Sequence, residues 1–162
     1  MNWTEFYEMQ GQLDSHIMKA QQLEGENVVD DKILALLVEI GELANETRCF
    51  KFWSAKAASP KPVILEEYVD GLHFILSLGL DLGFRYKPEK EESIHPKSPT
   101  HSFLEVYTTI NDFKQKKNEK TYHNVFNTYL NLGNSLSLHE EDLKQAYMEK
   151  NKVNYQRQEE GY

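Results

Sequence analysis

The sequence predicts an all-α protein, a bundle of about six helices read as one domain over 1–162. Three observations carry that prediction. Apolar residues recur at spacings of three and four rather than two, the mark of helices with one buried face. No Asn-Gly or Asp-Gly turn joins alternating strands. All five prolines fall in two stretches, Pro60 to Pro62 and Pro88 to Pro99, which leaves long runs free of helix breakers.

The elements follow in order. A first helix over about 3–24 carries Trp3, Phe6, Tyr7, Leu13, Ile17 and Leu23 loosely on one side. A second, over about 30–48, opens on Asp30 and Asp31, read as caps whose charge suits the positive end of a helix. A third, over about 62–82, is started by Pro62 and ended near Gly79 or Gly83. Residues 85–98, charged and broken by proline, predict an internal loop. The fourth helix begins near Pro99 with Phe103, Val106, Tyr107, Ile110 and Phe113 in register, and a fifth from about 121 carries Tyr122, Val125, Phe126, Tyr129 and Leu130. Ser137 and Glu140 have the spacing of a capping box and predict the start of the last helix.

Composition narrows the function classes. A chain of 162 residues can bury a core without covalent cross-links, and the single cysteine, Cys49, excludes an internal disulfide framework and a cysteine-cluster zinc site. Eighteen Lys and Arg against 26 Asp and Glu give a net charge of −8, which argues against general nucleic-acid binding. The apolar runs are too short to span a membrane, and no basic start followed by an apolar block marks a secretory signal. The expectation is a soluble, cytoplasmic protein.

The chemistry-bearing pattern is a pair of acidic motifs. On the second helix Glu39, Glu42 and Glu46 occupy a sector of about 60° at 100° per residue, on the shoulder of the buried stripe rather than opposite it. The third helix is apolar almost all round, through Val63, Ile64, Leu65, Leu72, Phe74, Ile75, Leu76 and Leu78, yet holds Glu67 and Asp70 in its middle. Burying an unpaired carboxylate costs several kcal/mol or more unless a partner offsets it. Two helices offering acids at i and i+3 bring four carboxylates together, a charge that nearby basic residues do not cancel and a divalent cation does. All-oxygen ligands favour magnesium or manganese over zinc. The competing di-iron pattern needs two Glu-x-x-His copies, and only Asp70-x-x-His73 has that spacing.

Glu39-x-x-Glu42 followed by Glu67-x-x-Asp70 resembles the signature of the all-α nucleoside triphosphate pyrophosphatases. Within that superfamily the chain is similar to the dimeric dUTPase family of firmicutes and their phages. The matching segments are MQGQLDSHI (9–17), EIGELANETRCFKFWS (39–54), EEYVDGLHF (66–74) and AYMEKNKVNYQRQEEGY (146–162).

The resemblance implies hydrolysis of dUTP to dUMP and pyrophosphate with magnesium (manganese possible) held by Glu39, Glu42, Glu67 and Asp70. It implies attack of water on the β-phosphorus, activated by a motif glutamate: Glu39 by position, with Glu46 in reserve. It suggests Phe74 as the wall that excludes a 2′-hydroxyl, His73 beside it at the deoxyribose, Trp53 over the base, and Gln10 and Asp14 at the uracil edge. On the last helix Tyr147, Lys150, Asn151, Asn154 and Arg157 would serve the triphosphate, Lys and Arg being suitable donors. A homodimer is implied as well, and the aromatic-rich middle helices permit one. Two alternatives stay open at this point: a pyrophosphatase for another or modified nucleotide, and a non-catalytic helical binding protein on the same scaffold.

Overall fold

The computed structural model describes residues 1–88 and 97–162. Among them are six helices: α1 (Trp3–Ala20), α2 (Val29–Thr47), α3 (Lys61–Leu82), α4 (Pro99–Gln115), α5 (Glu119–Ser135) and α6 (Glu140–Glu159). Most of the predicted 85–98 loop, with His95, lies outside the described residues.

α3 is the axis. It packs against α1, α2, α5 and α6, while α4 leans on α5 and α2. That placement explains its apolar circumference, for a helix with neighbours on most sides has no wide face to give to water. One cluster of buried side chains draws on all six helices, from Trp3 and Phe6 through Leu36, Tyr68 and Phe103 to Tyr122 and Tyr147.

Tyrosines fix the rotation of α3. Tyr68 donates to the carbonyl of Tyr129 at 2.9 Å, Tyr129 donates to the carbonyl of Tyr68 at 2.6 Å, and the rings stack 4.5 Å apart. Tyr122 donates to the Ile75 carbonyl at 2.9 Å. These hydroxyls reach backbone because Gly71, Gly79 and Gly133 leave room; a Cβ at Gly71 would land on the Tyr129 hydroxyl. These buried tyrosine hydroxyls therefore find partners, and the neighbours of Gly71 are held in one orientation.

Several boundaries differ from expectation, each for a local reason. α1 stops at Ala20, because Gln22 takes φ 57° and Gly25 φ 81°; Leu23 lies beyond it and is exposed. Asp30 and Asp31 are not caps: they lie in the first turn of α2, and Asn27 Oδ1 accepts from the Val29 N–H at 3.1 Å instead. α3 starts at Lys61 and ends at Gly83, which supplies the left-handed φ of 74° that closes the last turn. The capping box expected at Ser137 is absent, since Ser137 adopts φ 57° and α6 opens at Glu140 after His139. A capping box is found instead at Asn118 and Thr121, opening α5. The aromatics of α4 and α5 are spent in the core: Phe103, Phe113, Tyr122, Phe126 and Tyr129 are buried.

Candidate active site

The antiparallel neighbours α2 and α3 carry the acids. Glu39, Glu67 and Asp70 each offer a carboxylate oxygen, and the three oxygens lie within 4.8 Å of one another. Glu39 Oε2 is buried and has no hydrogen-bond partner among the described residues. Burial first, then the charges of Asp70, Glu42 and Glu67, push the Glu39 carboxyl up to about 8. Glu67 is raised by burial and by Asp70 and Glu42. Asp70 is raised by burial against the opposing pull of Lys150. Such a group is unfavourable as three free anions and fits a hard divalent cation, which needs oxygen ligands and has none of its charge wasted.

The other two motif acids are arranged differently. Glu42 stands outside the trio, but its charge presses on both Glu39 and Glu67. Glu46, one turn on, has its Oε2 taken by the Ser59 hydroxyl, and its backbone carbonyl accepts from the Ser59 N–H at 2.9 Å. It anchors the 48–60 segment.

One expectation is corrected here. A basic residue does meet the cluster: Lys150 Nζ lies 2.9 Å from Asp70 Oδ2 and 2.9 Å from Glu66 Oε1, with its side chain 9% exposed. α6 brings it in, and of that helix only Leu143, Tyr147 and Lys150 are buried.

Beside the acids opens a cavity of about 350 Å³. Glu39 and Asp70 line it together with His73, Phe74 and Ser77 of α3, Gln10 and Asp14 of α1, and Lys150, Asn154, Arg157 and Tyr162 from the C-terminal segment. A larger groove of about 850 Å³ runs along Trp3, Tyr7, Arg85 and Tyr86, but none of the clustered acids lines it. Chemistry rather than size selects the smaller one.

Its polar wall is a connected network. Gln10 Oε1 accepts from Tyr147 Oη at 2.7 Å and meets His73 Nδ1 at 2.6 Å, while Gln10 Nε2 donates to Asp14 Oδ1 at 2.8 Å. Ser77 Oγ donates to Asp14 Oδ2 at 2.6 Å. The His73 ring stacks on Tyr147 at 4.2 Å, and burial holds it neutral by lowering its pKa to about 3.

The structure thus gathers Glu39, Asp70, Gln10, Asp14, His73, Phe74, Lys150, Asn154 and Arg157 around one cavity. Tyr147 is fully buried behind it. Asn151 is not among its lining residues, although its Oδ1 is buried without a partner among the described residues. Trp53 is not brought in: it is 64% exposed and packs edge-on against Phe50 and Phe52. Sequence reasoning missed Ser77 and Lys32. The Ser77 hydroxyl on the acid-bearing helix, one turn beyond His73, was a readable signal. Lys32, which bonds Asp81 at 2.6 Å and lies 4.0 Å from Asp14, carried none. Tyr162 is anchored on α6, with its N–H on the Arg157 carbonyl at 2.9 Å and Arg157 5.1 Å over its ring.

A family model described as dUTPase matches residues 2–162, essentially the whole chain. The chain belongs to the dUTPase family. As a dUTPase it hydrolyses dUTP to dUMP and pyrophosphate, which removes the non-catalytic alternative. Members of this family use a divalent metal, and the acidic trio is the candidate cluster for one in this dUTPase. No curated protein matches the chain. No helix among the described residues is long and apolar enough to cross a membrane.

Proposed function

We propose that Glu39, Glu42, Glu67 and Asp70 hold magnesium, or manganese in its place, and that the adjoining cavity takes the nucleoside of dUTP. The observation that carries this reading is the convergence of three carboxylate oxygens within 4.8 Å, one acid having a buried oxygen without a partner among the described residues. An ion bound there would neutralise the acids, leave Glu39 ionised and polarise a phosphoryl oxygen.

The remaining work belongs to the chain. Glu39 Oε2, for which no described group competes, takes the proton of the water that attacks the β-phosphorus. Glu46, already bonded to Ser59, is the weaker candidate for that role. Lys150 and Arg157 meet phosphate oxygens as charge-assisted donors, with Asn151 and Asn154 as neutral ones. Phe74 supplies an apolar wall, and His73, Gln10 and Asp14 supply the polar edge. Trp53 would reach the base only by a movement of the 48–60 segment.

The single domain acts as a homodimer in the cytoplasm. Exposed apolar side chains on α2 (Leu34, Val38) and α4 (Leu104) support an interface there, since the aromatics of the middle helices are already buried. The test is to mix purified protein with each deoxynucleoside triphosphate and magnesium and assay pyrophosphate. Turnover confined to dUTP supports the reading, and equal turnover of dCTP or dTTP overturns the assignment of the pocket.

A further inference from the structure

Gln10 is the junction of the buried network, 3% exposed. Its bonding fixes which end of the amide points where. Nε2 faces the Asp14 carboxylate, which can only accept while ionised; the reverse orientation would set two acceptors 2.8 Å apart. Oε1 therefore faces Tyr147 and His73, and as an acceptor it requires a donor from each. The proton of the neutral His73 ring must then reside on Nδ1, which leaves Nε2 as a bare lone pair. That atom is buried, has no partner among the described residues, and belongs to a ring lining the cavity at 6% exposure.

A buried acceptor left unsatisfied carries a penalty until a donor arrives. We propose that Gln10 and Tyr147 are positioning residues for His73: they hold its imidazole protonated at Nδ1, so that Nε2 accepts a hydrogen bond from the nucleoside. This rests on the reading of the cavity as the nucleoside site. Two groups of deoxyuridine could donate, the imide N3–H of the base and the 3′-hydroxyl of the sugar. With both lone pairs of Oε1 occupied by Tyr147 and His73, none is left to accept from the uracil N3–H, so Gln10 moves from the uracil edge to the support of another reader.

Long-range proton–nitrogen spectra of the histidine rings test the tautomer without any substrate. The expected result is His73 with Nδ1 protonated and Nε2 bare from pH 5 to 8; a proton on Nε2 overturns the proposal. In steady-state assays, Gln10→Met should raise KM for dUTP by about tenfold, the worth of one lost hydrogen bond, with kcat little changed. Tyr147→Phe keeps the stacked ring and should give a smaller rise in the same direction, so the test survives if Gln10→Met misfolds. Assays with 3-methyl-dUTP and 2′,3′-dideoxy-UTP identify the donor, because the substitution should cost nothing extra with the analogue that lacks it. A full KM penalty with both analogues, or none with dUTP, overturns the proposal. Absence of dUTP turnover would remove the nucleotide reading instead and leave the tautomer result standing.

Discussion

Lys150 Nζ approaches Asp70 Oδ2 to 2.9 Å, so one of the acids lining the cavity is already paired with a cation supplied by α6. Both side chains are largely buried, at 9% and 16% exposure. A magnesium ion held as proposed would compete with this ammonium group for the same carboxylate, and the triphosphate would offer the displaced lysine another set of anionic oxygens.

Removing the lysine should therefore have opposite effects in two states. Lys150→Met leaves a buried carboxylate without its counter-charge, and metal-free protein should lose about 3 kcal/mol of stability, read by urea denaturation in chelator. Saturating magnesium should recover most of that loss, while KM for dUTP rises. An unchanged urea midpoint in chelator would show that the pair contributes nothing.

Glu39→Gln separates chemistry from folding. It removes the proposed proton acceptor and should lower kcat by at least about 100-fold. It also removes the most strongly disfavoured anion of the cluster, so the metal-free melting temperature at pH 8 should rise. Helical circular dichroism confirms the fold, and retained activity would mean that another carboxylate is the base.

Stability against pH in chelator should show a maximum near pH 5–6. Glu39 is raised in the folded state from 4.5 to about 8, so the stability linked to its proton is present below 4.5 and is lost as pH climbs toward 8. His73 is lowered from 6.5 to about 3, so its contribution is full above 6.5 and is lost as pH falls toward 3, at up to about 1.4 kcal/mol per pH unit. Magnesium should lift the alkaline side and leave the acid side unchanged. Thermal melts across pH 4–9, with and without the ion, check both limbs.

Gly71→Ala should cost about 2 kcal/mol, because the new methyl meets the Tyr129 hydroxyl. The gain in helix propensity, about 1 kcal/mol, does not offset it. Pairing the change with Tyr129→Phe should restore part of the loss in urea melts, a non-additive result that identifies the close approach as the cause.

The apolar circumference of Val63 to Leu78 announced a helix with neighbours on most sides, and the acids standing in it announced the site, because both are local patterns on a regular helix. What the sequence concealed depends on contacts between distant segments. Nothing in the spacing of Lys150 reveals that it meets Asp70, 80 residues earlier, or that Gln10 is consumed by Tyr147 and His73. Ser137 had the right residues around it for a cap, but the turn closing α5 placed it in a left-handed conformation. Trp53 lay within a matching segment and yet does not line the cavity, since the course of a loop is set by its tertiary anchors, here Ser59 on Glu46.

The acids of α2 and α3 are proposed to share a divalent cation. Titration of manganese followed by electron paramagnetic resonance, in wild type, Glu67→Gln and the exposed-acid control Glu5→Gln, tests that directly. Tight binding is expected in wild type and control, and at least about tenfold weaker binding in Glu67→Gln. Equal affinity in all three would contradict it.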